Sequence, residues 1–232
     1  MRPGPGSAAH VREAFAGLAP AIANLWTGLL TGGRPSRPLR LAFSACAHGD
    51  GATTVAVCAA LGLARQLREE VVLVEANGAT PGLSRILGLE PGPGLDEVQR
   101  GVVPLAGALR ATDEPGVWLL PFGGDAVGPP VGVAREAALG LDAARTIGET
   151  CAAQGRHLLL DVAPVLVHPS TVPLLWTVDS TVAVWSAGHT LRKDAAAMVQ
   201  ALEAAGSPLA GTILNRHREE LPRWIRGWWR RG

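Results

Sequence analysis

The sequence predicts a single α/β domain in which a doubly wound, mostly parallel sheet carries helices on both faces. The first observation is that two predicted strands, Val71–Glu75 and His157–Asp161, are almost unbroken apolar runs. Such runs are typical of parallel strands buried on both faces, whereas strands with one face in water alternate. The second is that strand and helix patterns alternate along the chain, as they do in βαβ units. A chain of 232 residues is long enough for one such domain and too short for two.

The predicted elements follow one another in a regular order. Apolar residues at spacings of three and four predict a first helix over residues 8–30, and a Gly/Pro/Arg linker follows it. The predicted strands are 39–46, 71–75, 117–121, 157–161, 181–185 and 209–214, and the further helices are 53–68, 134–154 and 191–205. We therefore divide the chain into an N-terminal leader, helix and linker (residues 1–37), a core domain (38–218) and a tail (219–232).

The composition excludes several classes of protein. A formal net charge of +1 argues against a generally basic protein that binds nucleic acid. Cys46, Cys58 and Cys151 are widely spaced, which predicts reduced thiols and neither a disulfide framework nor a zinc site. The sequence has no signal-peptide pattern at its start and no run of about 18 apolar residues, so we expect a cytoplasmic protein.

A glycine-rich turn joins the first core strand to the first core helix. Gly49 and Gly51 allow the backbone to turn tightly and to direct its N–H groups inward, and the start of the helix adds more donors. Phosphate-binding loops of the form G-x-x-x-x-G-K-[ST] place a lysine after the last glycine. Here Ala52 stands in that place, while Thr53 keeps the hydroxyl. The turn predicts an anion site; the alternative is an ordinary turn that binds nothing, with His48 facing either the phosphates or the solvent.

Two carboxylates end predicted strands. A carboxylate is costly to bury in such a place unless it is paired or bound to a metal. We expect Asp161 to bind Mg²⁺, directly or through water, and the alternative is that it caps the following turn. Glu75 ends another apolar strand, and for it both a metal role and a structural role are open.

The order of several short segments resembles one known family. These segments are 12–15, 41–54, 72–77, 81–83, 87–89, 94–98, 158–164 and 213–216, within a match that covers about residues 12–226. Together they are similar to the bacterial tyrosine kinases of polysaccharide export (BY-kinases), a branch of the MinD/ParA-like P-loop ATPases. The resemblance implies the P-loop NTPase fold of the MinD/ParA branch.

The resemblance also implies a ligand, ATP or ADP with Mg²⁺. The implied nucleotide-binding positions are Gly49, Asp50, Gly51, Ala52, Thr53, Thr54 and Asn215. Thr53 and Asp161 would hold the metal, and Asp161 and Glu75 would keep what remains of the catalytic roles. The asparagine in the position of Asn215 typically contacts adenine in the family; the other interpretation is that it only caps the last strand.

The departures from the family pattern concern catalysis. Ala52 replaces the lysine, Glu75 and Asn77 replace the two aspartates of the second acidic motif, and the chain contains no tyrosine. Removal of one preorganised charged group commonly costs about 10²–10³ in rate. We therefore expect a nucleotide-responsive, catalytically impaired regulatory protein of exopolysaccharide or capsule synthesis or export.

Two rival functions stay open. One is an active MinD/ParA-like ATPase or tyrosine kinase with a substitute cation, for which the candidates are Arg85, Arg135, Arg192 and Lys193. The other is a scaffold that binds no nucleotide. Nucleotide titration separates the scaffold from the other two functions, and a turnover assay then separates those.

The tail combines tryptophan with arginine. In a helix, Trp224, Trp228 and Trp229 would share one side, and Arg223, Arg226 and Arg230 would lie on the other. This pattern suits an anionic membrane surface or a groove on a membrane-bound partner, and the alternative is packing on the domain itself. We thus expect a location peripheral to the inner membrane. The expected partner is a polysaccharide-export or synthase component of that membrane; a homo-oligomer is a further candidate, and no nucleic acid is expected.

Overall fold

The computed structural model describes residues 8–31, 38–90, 92–123 and 140–216. These residues contain seven strands: β1 (Arg40–Ala45), β2 (Val71–Glu75), β3 (Arg110–Ala111), β4 (Val117–Leu120), β5 (His157–Asp161), β6 (Ser180–Ser186) and β7 (Leu209–Asn215). They form one sheet in the order β3-β4-β2-β5-β1-β6-β7. Neighbouring strands are parallel, except that β3 pairs antiparallel with β4 at one edge.

Helices cover both faces of this sheet. The α-helices of the described residues are α1 (Ala8–Leu29), α2 (Ala52–Gly62), α3 (Leu83–Ile86), α4 (Leu95–Gln99), α5 (Leu105–Ala108), α6 (Leu141–Ala153), α7 (Val172–Leu175) and α8 (Arg192–Ala204). Apolar residues of α1, α2 and α3 pack in one core layer, and those of α4 to α8 pack in the other. This is the doubly wound arrangement that the alternation of strands and helices predicts.

The predicted fold class is therefore confirmed. The six predicted strands are all present, and the first, second and last predicted helices are found as α1, α2 and α8. The helix predicted over 134–154 is present as α6, and residues 134–139 lie outside the described residues. The helix predicted to reach residue 68 changes to a π-helix over Leu63–Leu67.

The helix α2 lies at the centre of one layer, between α1 and the sheet. All of its residues from Val55 to Gly62 are buried, so its sequence is apolar on every side. Gly62 allows α1 to approach closely, because a Cβ atom there would lie 2.5 Å from Cγ2 of Ile22 and 3.0 Å from Nε1 of Trp26. The N-terminal helix is thus packed against the domain core, with Ile22, Leu25 and Trp26 buried and Ala14, Phe15 and Leu18 partly buried.

The carboxyl ends of β1, β2, β5, β6 and β7 meet along one edge of the sheet, which is where open α/β sheets bind ligands. The glycine-rich turn and the ends of the strands that carry Glu75, Asp161 and Asn215 all lie at this edge. Among the described residues, no helix is long and apolar enough to cross a membrane.

Candidate functional site

The glycine-rich turn leads from β1 directly into the first turn of α2. Gly49 and Gly51 have φ values of 85° and 99°, a left-handed conformation that residues with side chains seldom adopt. Gly51 is the N-cap of α2 and gives it no side-chain cap. The first N–H groups of a helix have no partner within the helix, so those of Ala52, Thr53 and Thr54 are available to an anion.

The turn is held in place by residues from the far end of the chain. Asn215, at the end of β7, donates a hydrogen bond from Nδ2 to the carbonyl oxygen of Asp50 at 2.9 Å. The carboxylate of Asp50 accepts the N–H of Ala47 at 3.1 Å and lies 3.5 Å from the hydroxyl of Thr190. These contacts hold the turn in its shape.

Asp161 lies beside the start of α2. It is 1% exposed, and the hydroxyl of Thr53 donates a hydrogen bond to its carboxylate. Its Oδ1 atom is buried without a hydrogen-bond partner among the described residues. Burial raises the pKa of this carboxyl from 3.8 to about 7; the Thr53 hydroxyl opposes the shift, and the charge of Glu75 adds to it. A buried carboxylate oxygen without a partner is a favourable ligand for a divalent cation.

The carboxylate of Glu75 is occupied by backbone donors. Oε1 accepts the N–H groups of Gly82 and Leu83, the latter at 2.5 Å, and Oε2 accepts that of Phe122 at 3.1 Å. Glu75 therefore joins the end of β2 to the start of α3 and to the segment after β4. Its proposed residual role in catalysis stays a prediction, while its structural role is visible.

The other polar residue of the second acidic motif bonds within its own loop, and the candidate cations that the structure describes are exposed. The side chain of Asn77 forms two hydrogen bonds with Thr80, three residues further along the same loop. Arg85, Arg192 and Lys193 are exposed. Arg135 lies outside the described residues, as do the tail residues Trp224, Trp228, Trp229, Arg223, Arg226 and Arg230.

A cavity of about 480 Å³ opens beside the turn, on the side of β6 and β7. It is lined by Cys46, Ala47, His48, Gly49, Asp50, Leu166, His189, Thr190, Asp194 and Arg216. Burial, together with the charges of Asp50 and Asp194, raises the pKa of the Cys46 thiol to about 11, so this thiol stays neutral. Of this lining, His189 and Thr190, on the loop after β6, were not expected from the sequence, because no local pattern distinguishes them.

Two histidines meet at the rim of the site. Nε2 of His48, in the turn, lies 2.7 Å from Nε2 of His168, which follows the β5 strand. The rings are edge to face, with centroids 4.8 Å apart. The sequence offers no signal for this pair, because its members are separated by 120 residues.

The residues present fit a nucleotide with Mg²⁺. The N-terminal N–H groups of α2 suit phosphate oxygens, and Thr53 with the free oxygen of Asp161 suits a magnesium ion that is also bound by phosphates. Within the described ranges, no cluster of three or more His, Cys, Asp or Glu side chains could hold a metal by itself.

No protein-family model matches this sequence, and no curated protein sequence is similar enough to count as a relative. Solved structures do share its fold. The kinase domain of VpsO has a TM-score of 0.73 at 22% identity, and the match covers 90% of this chain and 97% of that one. For the kinase domain of the Escherichia coli tyrosine kinase ETK the TM-score is 0.72 at 19% identity, with coverages of 87% and 78%.

A third similar structure carries a nucleotide. The septum site-determining protein MinD of Pyrococcus horikoshii, complexed with Mg-ADP, has a TM-score of 0.59 at 20% identity, and the match covers 81% of this chain and 75% of that one. Bacterial tyrosine kinase domains and MinD ATPases are the two groups that the sequence motifs resemble. At these identities the likeness confirms the fold alone.

Proposed function

We propose that this protein is a nucleotide-responsive regulator built on a BY-kinase-like domain, with impaired phosphoryl transfer. It binds ADP or ATP with Mg²⁺ and acts in exopolysaccharide or capsule synthesis or export at the inner membrane. Nucleotide binding changes the state of the domain, and a partner in that membrane senses the change.

One observation carries the nucleotide part of this proposal. Asp161 is fully buried with Oδ1 unpartnered, and the hydroxyl of Thr53 contacts its carboxylate. A carboxyl group without a ligand is expensive to bury, so a domain that bound nothing would gain stability by replacing it. A scaffold that binds no nucleotide gives no reason to keep this arrangement.

The chemistry of the site supports impairment. Ala52 gives no cation to the phosphates at the start of α2, and stabilisation of charge on the transferring oxygens is the main catalytic requirement of phosphoryl transfer. Glu75 has both carboxylate oxygens engaged by backbone N–H groups, so it has little capacity left to orient a nucleophile. Binding depends mainly on backbone groups and is less affected than turnover.

The partner and the location are proposed from the resemblance and from the tail. The Trp/Arg segment 219–232 is the docking element in this proposal, and its target is an anionic membrane surface or an inner-membrane polysaccharide-export or synthase component. Because the chain contains no tyrosine, it cannot be its own tyrosine substrate. Any tyrosine phosphorylation would have to fall on another protein.

Calorimetric titration tests the proposal. The wild-type protein should bind ADP with Mg²⁺ weakly, and Ala52→Lys should bind it more tightly. The added charge-assisted contact contributes a gross binding free energy of roughly 1.5–3 kcal/mol. Asp161→Asn should lose the contribution of Mg²⁺. If neither wild type nor Ala52→Lys binds nucleotide at millimolar concentration, the scaffold function replaces this one. Rapid hydrolysis by the wild type would instead favour the active enzyme.

A further inference from the structure

The histidine pair at the rim joins the two segments between which a nucleotide's terminal phosphates would lie. His48 directly precedes Gly49 in the phosphate turn. His168 belongs to the segment that follows Asp161, and its N–H donates a 2.9 Å hydrogen bond to the carbonyl of Pro164. An anion that contacts the start of α2 and a metal at Asp161 would therefore lie next to segments that lead directly to the two histidines.

The short contact between the two rings limits the number of protons that the pair can hold. At 2.7 Å, one Nε2 atom must donate a hydrogen and the other must accept it, so only one proton can lie between the two Nε2 atoms. A second proton taken from solvent would place two N–H donors against each other. A phosphate oxygen between the rings would accept from both donors and remove that repulsion.

We propose that His48 and His168 form a proton-linked clamp for the terminal phosphate of the bound nucleotide, and that this clamp supplies the positive charge that position 52 lacks. The inference rests on the proposed nucleotide site. Binding of the anion takes up a proton from solvent onto the second imidazole, and release of the anion returns it. Nucleotide affinity is thereby coupled to pH through the acid–base chemistry of the imidazole ring.

Other ionisable groups lie near this pair, and their contribution to anion binding must be separated from that of the pair. Those of the turn and of the cavity lining are Asp50, His189, Asp194 and Arg216, and the Cys46 thiol is neutral. Asp161 also loses a proton, since its pKa is about 7. Its negative charge would then repel a metal-free anion at higher pH.

The test is titration with inorganic pyrophosphate in the presence of EDTA, at pH 6.0 and pH 8.0, because a metal-free ligand isolates the cationic contribution of the protein. The quantity of interest is the ratio of the two dissociation constants. The proteins are the wild type, His48→Gln, His168→Gln, the double variant and His189→Gln, which lines the same cavity outside the pair. Changes in the charge of the ligand and of Asp161 are common to all five and cancel.

The clamp predicts that the ratio of the dissociation constant at pH 8.0 to that at pH 6.0 is larger for wild type and His189→Gln than for the other three proteins. The expected difference is roughly threefold to tenfold. Because the two histidines act as a unit, the double variant should lose no more of this pH dependence than either single variant does. Thermal melts confirm that each variant is folded. An equal pH ratio in all five proteins would overturn the clamp and leave the nucleotide site intact. Absence of binding by any protein, with nucleotide also failing to bind, would overturn both.

Discussion

The side-chain amide of Asn215 donates to the backbone carbonyl of Asp50 at 2.9 Å and so connects the end of the last strand to the phosphate turn, across 165 residues. The same amide occupies the space beside Gly51, where a Cβ atom would lie 2.0 Å from Nδ2. With its carbonyl held from one side, the Asp50–Gly51 peptide is fixed in orientation. Asn215 therefore shapes the turn whether or not it also contacts a base.

The first prediction concerns this contact. Asn215→Ala should lower the free energy of unfolding by about 1 kcal/mol, the usual net value of one hydrogen bond, and should weaken ADP binding because the turn loses its orientation. Asn77→Ala is the matched control, since within the described part of the chain that side chain bonds Thr80 of its own loop and no other residue. Calorimetry and denaturant titration give both quantities. An ADP affinity unchanged in Asn215→Ala would show that the turn keeps its shape unaided.

The second prediction is a pH dependence of stability that arises at Asp161. Its pKa is about 7 in the folded protein against an ordinary 3.8, so the folded state holds the proton over a range in which the unfolded state has released it. The free energy of unfolding should therefore fall as pH rises from about 4 to about 7, by at most about 4 kcal/mol. Asp161→Asn should remove this loss.

Thermal melts without ligand at pH 5 and pH 8 measure the effect. The variant should be more stable than wild type at pH 8, and the difference should shrink at pH 5. Asp142→Asn, on the exposed side of α6, is the control and should show little change. With ADP and Mg²⁺ the order should reverse, because only the wild type gains the metal contact. A wild-type profile flat between pH 5 and pH 8 would mean that Asp161 is not a buried acid.

The third prediction concerns Glu75, whose carboxylate accepts three backbone N–H groups. Glu75→Gln puts an NH₂ group among these donors and leaves at least one of them unsatisfied, which should cost about 1–3 kcal/mol of stability. Glu75→Asp should also destabilise, because the shorter side chain does not reach both loops. The exposed Glu90→Gln is the control. Loss of nucleotide turnover without loss of stability would instead point to a catalytic Glu75.

The extent to which the sequence predicts this structure depends on how local each feature is. Unbroken apolar runs identify β2 and β5, and the glycines at 49 and 51 identify the turn, because in each case the signal lies within a few consecutive residues. Helices α3, α4, α5 and α7 span four or five residues, too few for a helical period to show. The two-residue strand β3 is likewise too short to recognise.

The contacts that complete the site are the non-local ones. His48 meets His168, and Asn215 meets Asp50, only because β1 lies between β5 and β6, with β7 beside β6. Sequence spacing contains no information about that order. The side chain of Glu75 illustrates a second limit. Its position at a strand end was predictable, but the three N–H groups that donate to it are placed by two loops that are distant in sequence.

The fourth prediction tests how the N-terminal helix packs. Gly62→Ala should destabilise the protein by about 1–3 kcal/mol, because the added methyl group would collide with Ile22 and Trp26 of α1. Gly28→Ala, in α1 itself, meets nothing within 4 Å and should stabilise by up to about 1 kcal/mol through helix propensity. Denaturant titration of both variants gives the comparison. Equal effects of the two substitutions would mean that α1 is not packed on α2 in solution.

The last prediction concerns the tail, residues 219–232, which lies outside the described residues. A fully buried aromatic side chain is worth about 1.5–3 kcal/mol, and each basic residue near an anionic surface adds about 1 kcal/mol. The combined free energy is thus enough for reversible binding to a membrane surface and too small for insertion. It comes from Trp224, Trp228, Trp229 and the neighbouring arginines. We expect the full-length protein to co-sediment with anionic liposomes, and a protein ending at Leu221 to remain in the supernatant.

Two controls separate the destinations open to this tail. Zwitterionic liposomes should bind far less of the full-length protein, since the arginines then gain nothing, and added salt should weaken binding to the anionic ones. Tryptophan fluorescence should shift to the blue only when lipid is added. If the emission is already blue-shifted without lipid and both proteins sediment equally, the tryptophans pack on the domain. Absence of sedimentation by either protein, with emission typical of exposed tryptophan, would leave a groove on a protein partner as the target and would remove the membrane surface from the proposed function.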